Sequence, residues 1–219
     1  MSSMWGNKVR ISLYGESHST GIGVVIDRLP AGEPIDLDRV REHMKRRAPG
    51  QEAWATPRKE KDEFEILSGY YQGKTTGTPL AAEIRNTDTR SGDYAQLSVK
   101  PRPGHADLTG LARYNGANDP RGGGHFSARI MAPLTFAGAV AMQILESRGV
   151  RIRGHIYEIA GIRDIPYDMM SIPDSVAQKR LPVLSDEQGV AMAKAIEAAR
   201  MDTDSVGGIV ECLAAGFPA

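Results

Sequence analysis

The stretch RGGGHFSAR, residues 121–129, lies between a long polar loop and the longest apolar helix that the sequence predicts, over residues 127–147. Three consecutive glycines in this glycine-rich stretch allow the backbone to approach a ligand closely, because they carry no side chains. The first N–H groups of the helix and the positive end of its dipole would favour a bound anion. Arg121 and Arg129 add charge-assisted donors that suit phosphate or carboxylate. A flexible loop before a helix is the alternative, and the two arginines favour the anion site.

The polar loop itself, residues 86–125, is rich in glycine and proline and shows little periodicity. A loop of this length inside a compact domain is usually functional or disordered. In the segment RPGHAD at residues 102–107, proline and glycine fix the backbone, and Asp107 is placed to orient the ring of His105. A surface loop of mixed charge accounts for this segment equally well, so the segment alone does not decide between the two.

A third polar segment, GESH at residues 15–18, follows a strand that we predict over residues 8–14. Histidine can give or take a proton near neutral pH, so His18 at the end of a strand is a candidate acid or base. Taken alone, the segment is better explained as a turn with an ordinary exposed histidine.

Arg46 and Arg47 end a helix that we predict to begin after Asp36. Its apolar positions are Leu37, Val40 and Met44. Basic residues at a helix C-terminus complement the dipole in any protein, so a solvated face is the default interpretation. Arg46 and Arg47 would join an anion site only if the fold brings them to the glycine-rich stretch.

The rest of the chain alternates short strands with helices, which predicts a mixed α/β (α+β) fold. Further strands are expected at residues 22–28, 63–68, 77–85, 150–160 and 207–214. A capping box at Ser185 predicts a helix that runs to about residue 200. Without repeats or linkers, we expect one domain over residues 1–219. Its apolar end at Phe217 indicates that this domain is incomplete at the C-terminal side.

Composition excludes several classes of protein. The chain has 27 basic and 27 acidic residues, and this balance argues against a nucleic-acid partner. Cys212 is the only cysteine, and its apolar surroundings predict a buried, inert thiol. We find no signal peptide and no uninterrupted apolar stretch of membrane-spanning length, so we expect a soluble, cytoplasmic protein without a membrane partner. The five histidines lack metal-ligand spacing, and no metal is expected.

Two familiar nucleotide-binding motifs fail on inspection. The segment GYYQGKT at residues 69–75 resembles a P-loop, but it has one residue too few between its glycines and no helical pattern follows. A hairpin turn is the better interpretation. The segment GIG at residues 21–23 lacks the third glycine of a dinucleotide fingerprint, and a strand follows it instead of a helix.

Taken together and in this order, the polar segments resemble the chorismate synthase family. The matching stretches are GESH at 15–18, RLPAG at 28–32, KRRAPG at 45–50, LSG at 67–69, GKTTGTP at 73–79, RPGHAD at 102–107, RGGGHFSAR at 121–129 and DSVGGIVE at 204–211. The resemblance implies a β-α-β sandwich, in which antiparallel sheets enclose helices, and a homotetramer. It also implies a lyase of the shikimate pathway to aromatic amino acids. That lyase converts 5-enolpyruvylshikimate 3-phosphate to chorismate and phosphate by 1,4-anti elimination, with reduced FMN as cofactor.

The resemblance also assigns roles to individual residues of this chain. His18 matches the histidine that protonates the departing phosphate, and His105 matches the one that protonates or stabilises the reduced flavin. Ser17 and Ser127 match serines that relay a proton. The substrate-binding positions are Arg46, Arg47, Ser127 and Arg129, with Arg46 the weaker match. The flavin contacts are Arg102, His105 and Ala128.

The chain departs from the family pattern in three respects. Ser19 stands where many relatives have glycine, and His125 stands where many have arginine. Family members also continue beyond residue 219, with a flavin-contacting lysine and an aspartate that helps to remove the C6 proton. We therefore expect this chain by itself to be inactive. A non-catalytic phosphate- or flavin-binding module is the alternative function, although the presence of both His18 and His105 favours an enzyme lineage.

Overall fold

The computed structural model describes residues 3–48, 60–87, 100–166 and 173–217, which form two compact units. Within these residues, the first unit takes the chain up to Ile144 and the second begins at Leu145. Helices and antiparallel strands occur in both, so the predicted mixture of the two is confirmed. The sequence pattern shows no boundary at residue 144 because it falls inside a continuous apolar helix.

A five-stranded antiparallel sheet forms the frame of the first unit. In sheet order its strands are β1 (Met4–Trp5), β2 (Arg10–Gly15), β3 (Gly21–Asp27), β7 (Leu80–Arg85) and β4 (Phe64–Ser68). On β3, Ile22, Val24 and Ile26 are buried because alternate residues of a strand share one face. The predicted strands at 8–14, 22–28, 63–68 and 77–85 all lie in this sheet, with shifted ends.

The rejected P-loop segment is a hairpin, as the sequence predicts. Strands β5 (Tyr70–Tyr71) and β6 (Lys74–Thr75) pair in antiparallel fashion across a two-residue turn. Gln72 and Gly73 in that turn have φ values of 47° and 81°. Positive φ at both central residues matches the turn that suits the twist of a tight hairpin.

Helix α1 (Leu37–Arg47) begins where the sequence predicts, because the side chain of Asp36 accepts hydrogen bonds from the first turn. Its Oδ1 atom lies 2.8 Å from the backbone nitrogen of Asp38. Gln143 fixes the same point from another helix: its Oε1 accepts from the backbone N–H of Asp36 at 2.9 Å, and its Nε2 donates to the carbonyl at 3.1 Å. The predicted apolar positions Val40 and Met44 are buried.

Helix α3 (Met131–Glu146) is the predicted long apolar helix, preceded by a short 3-10 turn at Ala128–Ile130. Phe136 is fully buried, and its ring makes an edge contact with Phe64 of β4 at 4.9 Å between centroids. By length and composition alone, the segment Ala128–Glu146 is long and apolar enough to cross a membrane, although Arg129 and Gln143 interrupt its apolar residues. It is the one such helix among the described residues. More than half of it, 56%, is buried, as in the core helix of a soluble protein.

The prediction of an irregular loop over residues 86–125 is wrong in part. Helix α2 (Asp107–Arg113) and a 3-10 segment (Arg121–Phe126) lie within it. Helix α2 gave no periodic signal because it is short, contains Gly110 and leaves Leu108 exposed, so it has no apolar stripe. Residues 88–99 of the predicted loop lie outside the described residues.

The second unit contains a three-stranded antiparallel sheet in the order β10 (Gly208–Ala215), β8 (Arg151–Ile159) and β9 (Ile162–Arg163). Helix α4 (Asp186–Met201) begins at the predicted cap, where Ser185 accepts from the backbone N–H of Gln188. The prediction that Cys212 is buried is wrong, because the thiol lies on the exposed side of the edge strand β10. Alternation along a strand exposes every second residue regardless of its polarity.

Phe136→Ala should lower the free energy of unfolding by about 3–5 kcal/mol, because it leaves a cavity between α3 and the sheet. Urea unfolding followed by circular dichroism measures the change. Leu108→Ala, at a position that is 64% exposed, is the matched control and should stay within about 0.5 kcal/mol of the natural chain. Equal unfolding midpoints for the two variants would contradict this account of the core.

Candidate functional site

The three glycines of the glycine-rich stretch bring the two candidate histidines to one place in the first unit. Gly122, Gly123 and Gly124 have φ values of 59°, 84° and 55°, a region that favours glycine. A Cβ atom on Gly122 would lie 2.1 Å from Nδ1 of His18, and one on Gly123 would lie 2.6 Å from Cε1 of His105. The absence of side chains therefore lets both imidazoles pack against the same short backbone.

On one side of the glycines lies the turn at residues 15–19. Ser17 and His18 are buried, and the backbone N–H of Ser17 donates to the carbonyl of Gly124 at 3.0 Å. Burial of His18 contradicts the alternative of an ordinary exposed histidine. Ser19 closes the turn, because its hydroxyl oxygen accepts from the backbone N–H of Glu16 at 3.1 Å.

On the other side, Asp107 organises the RPGHAD segment. Its Oδ1 atom lies 2.7 Å from Nδ1 of His105, as expected for a carboxylate that orients a ring. Arg102 donates to the same carboxylate in a fork, at 2.8 Å from Nε and 2.9 Å from NH2. These hydrogen bonds from Arg102 hold the pKa of Asp107 well below its usual range, although burial opposes the shift.

Arg121, a predicted anion donor, is matched by a neighbouring carboxylate. Its Nε and NH2 atoms donate to Asp119 at 2.9 and 2.6 Å. These hydrogen bonds lower the pKa of Asp119. Burial, together with the negative charge of Asp119, raises the pKa of Glu16 in the neighbouring turn. Two acidic residues, Glu16 and Asp119, therefore lie beside Arg121 on the N-terminal side of the glycines.

Arg47 and Arg129 meet at a single buried carboxylate. Arg129 is 4% exposed, and its NH1 donates to Oδ1 of Asp62, while NH1 of Arg47 donates to Oδ2 of the same residue at 2.5 Å. Glu60 lies 3.7 Å from NH2 of Arg129, and Asn86 accepts from its Nε at 3.1 Å. The fold thus brings these two predicted arginines together, as the anion-site hypothesis requires, and supplies counterions that the hypothesis did not include.

The other predicted ligand-binding residues differ in position. Ser127 is half-buried and caps the 3-10 turn, where its hydroxyl accepts from the backbone N–H of Arg129 at 3.3 Å. Ala128 is exposed beside it. Arg46 is exposed on α1, and within the described part of the chain it makes no contact with Asp62 or Arg129. The structure therefore does not bring Arg46 into the cluster around Asp62.

His125, one of the departures from the family pattern, ties the turn to the N-terminal segment. Its Nδ1 atom lies 2.7 Å from the carbonyl oxygen of Gly15, and its Nε2 lies 2.5 Å from the hydroxyl of Ser3. A carbonyl only accepts, so Nδ1 carries a proton and donates. In the neutral ring Nε2 then accepts from Ser3. His125 is thus a structural tether beside the site.

A cavity of about 550 Å³ borders the same turn. Glu16, Asp119 and His125 line it, together with Tyr114 and Phe126. Neither His18 nor His105 is among its described lining residues, so the cavity is adjacent to the histidine pair and does not contain it.

Sequence reasoning missed Asp62, Glu60 and Asn86. The two acidic residues lie just before β4, and Asn86 follows the end of β7. Polar residues at strand ends are a weak signal, since most such residues face solvent. Their contacts with Arg129 join residues that are far apart along the chain, and no local pattern predicts those contacts.

Comparison with known proteins gives the family. A family model described as chorismate synthase matches residues 9–219. This chain belongs to the chorismate synthase family. A chorismate synthase of Methanosarcina mazei is 42% identical over 217 residues, which cover 99% of this chain and 59% of that protein. One of Lancefieldella parvula is 39% identical, covering all of this chain and 61% of that relative.

A solved structure described as the crystal structure of chorismate synthase agrees with the fold. It superposes with a TM-score of 0.73 at 26% sequence identity, covering 97% of this chain and 59% of that one. The chain thus spans about three fifths of the length of the chorismate synthases that it matches.

Gly122→Ala should displace the ring of His18, because the added Cβ would lie 2.1 Å from its Nδ1. The measurement is the change in the His18 ring signals by NMR. Gly116→Ala is the matched control: its φ is 75°, so its backbone cost is similar, but an added Cβ meets nothing within 4 Å. Unchanged His18 signals in Gly122→Ala would contradict the packing.

Asp107→Asn should destabilise the chain at neutral pH, because the variant loses an ionised carboxylate that Arg102 stabilises. The folded-state pKa of Asp107 lies below the unfolded value of about 3.9. Its contribution is therefore complete above that value and is lost as the pH falls through the folded-state pKa. Unfolding free energies between neutral and acidic pH check this, with the exposed Asp204→Asn as control. A difference that persists undiminished in strong acid would be evidence against it.

Proposed function

We propose that the natural protein, in its full length, converts 5-enolpyruvylshikimate 3-phosphate to chorismate and phosphate. One observation carries the proposal: in a member of the chorismate synthase family, Gly122 packs on His18 while Gly123 packs on His105. Two imidazoles, the side-chain type that most often gives or takes a proton near neutral pH, thus lie against the same short backbone segment. The proposed activity is a carbon–oxygen lyase of aromatic amino acid biosynthesis, and no metal takes part in it.

The elimination breaks the bond between C3 and the phosphate oxygen, and the electron pair of that bond leaves with the phosphate. The C6 hydrogen leaves as a proton, with help from the aspartate that the family pattern places beyond residue 219, and the C6–H electron pair enters the new double bond. In our proposal, His18 gives a proton to the departing phosphate, which lowers the charge that the leaving group must carry. Ser17 is buried next to His18, and this position supports a role for its hydroxyl in relaying that proton. Burial also supports the role of His18, because a site with little water strengthens its electrostatic interaction with the phosphate.

Arg47 and Arg129 are the proposed substrate-binding arginines, with Ser127 beside them. Both guanidinium groups donate to Asp62, which supports a role for Asp62 in orienting them before the anionic substrate arrives. Groups that are already oriented need no rearrangement at the moment of reaction. Arg46 is the weaker of the proposed substrate-binding positions, since it is exposed on α1.

The residues proposed to hold reduced FMN are Arg102, His105 and Ala128. They fit such a group in one respect: the His105 ring and the Arg102 guanidinium both lie against Gly123, with Nε2 of His105 at 2.8 Å and NH2 of Arg102 at 3.4 Å from the place that a Cβ on this glycine would take, so two polar groups lie side by side. When bound, reduced FMN would supply an electron-rich ring next to the substrate, although the reaction has no net redox change. His105, held by Asp107, would keep a proton at the edge of that ring.

The proposal extends to location and assembly. We infer a cytoplasmic homotetramer with a small phosphorylated substrate and neither a nucleic-acid nor a membrane partner. The balance of 27 basic and 27 acidic residues supports the absence of a nucleic-acid partner. Light scattering of the full-length protein would measure the assembly.

His18→Ala and His105→Ala should each lower chorismate formation by the full-length protein by about 10²–10⁴-fold, the usual contribution of a positioned acid or base. The assay follows chorismate with reduced FMN in excess. His125→Asn is the control, because it changes a histidine that contacts Ser3 and Gly15 at the edge of the site. Near-normal turnover in both single variants would refute the assignments.

Binding without turnover in the natural protein would favour the alternative function. In that case FMN and phosphate would still bind, and the loss of either histidine would change affinity but no rate. A non-catalytic phosphate- or flavin-binding module would then account for the glycine-rich stretch.

A further inference from the structure

Asn86 lies at the end of β7 and uses all of its side-chain hydrogen-bonding groups on the candidate site. Its Nδ2 donates to the backbone carbonyls of Glu16 and Ser19, both at 2.9 Å. Its Oδ1 accepts from Nε of Arg129 at 3.1 Å. The backbone N–H of Asn86 also donates to the carbonyl of Thr20 at 3.1 Å.

These contacts join two parts of the site that are distant in the sequence. Glu16 and Ser19 flank Ser17 and His18, so the two carbonyls define the position of the turn that carries the proposed proton donor. Arg129 carries the proposed anion-binding guanidinium. Because a primary amide is rigid and planar, its nitrogen and oxygen hold the turn and the guanidinium at a fixed separation.

Asparagine is the residue type that meets this demand at this length. Two carbonyls need two donors, and a guanidinium needs an acceptor; the asparagine amide offers both on one carbon. Aspartate has the acceptor but no donor when ionised. Alanine has neither. Comparing asparagine, aspartate and alanine at position 86 therefore separates the donation to the turn from the acceptance from Arg129.

We propose that Asn86 is a positioning residue, which sets His18 relative to Arg129 in the active site. The inference rests on the proposed function for its kinetic consequence, while the positions of the turn and the guanidinium can be measured without any activity. A displacement of about 1 Å in a catalytic arrangement can cost about 10²-fold in rate, so the geometry predicts a large effect from a residue that need not touch the substrate.

The experiment compares Asn86→Asp, Asn86→Ala and the control Asn115→Asp. Asn115 is exposed in a turn with a φ of 52°, so its variant makes the same change of charge away from these contacts. Asn86→Asp keeps an acceptor for Arg129 and loses both donors to the turn. We expect the His18 ring signals to move by NMR, and kcat of the full-length protein to fall by about 10²-fold with little change in KM.

Asn86→Ala loses both the donors to the turn and the acceptor for Arg129, so we expect kcat to fall and KM to rise together. Asn115→Asp should match the natural protein in every measurement. Natural kcat and unmoved His18 signals in a folded Asn86→Asp variant would overturn the proposal. The same holds if Asn86→Asp and Asn86→Ala change KM alone.

Two further measurements cover variants that do not fold and a failure of the proposed function. If neither Asn86 variant folds, hydrogen exchange of the Asn86 side-chain amide in the natural chain decides: exchange slower than that of Asn115 supports the proposal, and equal exchange overturns it. If the natural full-length protein forms no chorismate with reduced FMN in excess, the proposed function has failed. The His18 signals in Asn86→Asp then still decide whether Asn86 sets the turn.

Discussion

Three successive residues with positive φ, at positions 122–124, make it possible for two imidazoles and a buried serine to lie against one strip of backbone. Any side chain on Gly122 would occupy the place of the His18 ring, and any on Gly123 would occupy that of His105. The rest of the candidate site depends on this close approach. The turn at residues 15–19 and the RPGHAD segment both pack against the glycines, and the helix that follows fixes them to the core through Phe136.

The positive charges of the site are matched by carboxylates inside the same unit. Arg102 bonds to Asp107, Arg121 to Asp119, and Arg47 and Arg129 share Asp62; this pairing is consistent with a chain of zero net charge. Removing one partner of a buried pair leaves an uncompensated charge, which is costly. In the proposed enzyme, the carboxylates therefore hold the guanidinium groups in position for the substrate and reduced FMN.

Asn86 adds a neutral link between these ionic groups and the turn that carries His18. An amide can bridge a backbone turn and a guanidinium without adding charge to a region that already contains Glu60, Asp62 and Arg129. The fold brings the proposed acid His18, the proposed anion-binding arginines and His105 together in the first unit.

The sequence alone determined what depends on near neighbours along the chain: the cap at Asp36, the alternation of β3, the hairpin at residues 70–75 and the motifs that indicate the family. Each is decided within a few residues by backbone sterics, capping or periodicity. The tertiary structure alone decided the bridge at Asp62, the contacts of Asn86 and the exposure of Cys212. Those features arise where strands and loops distant in the sequence meet, and a carboxylate or amide takes its partner only after folding has placed a guanidinium or carbonyl within reach.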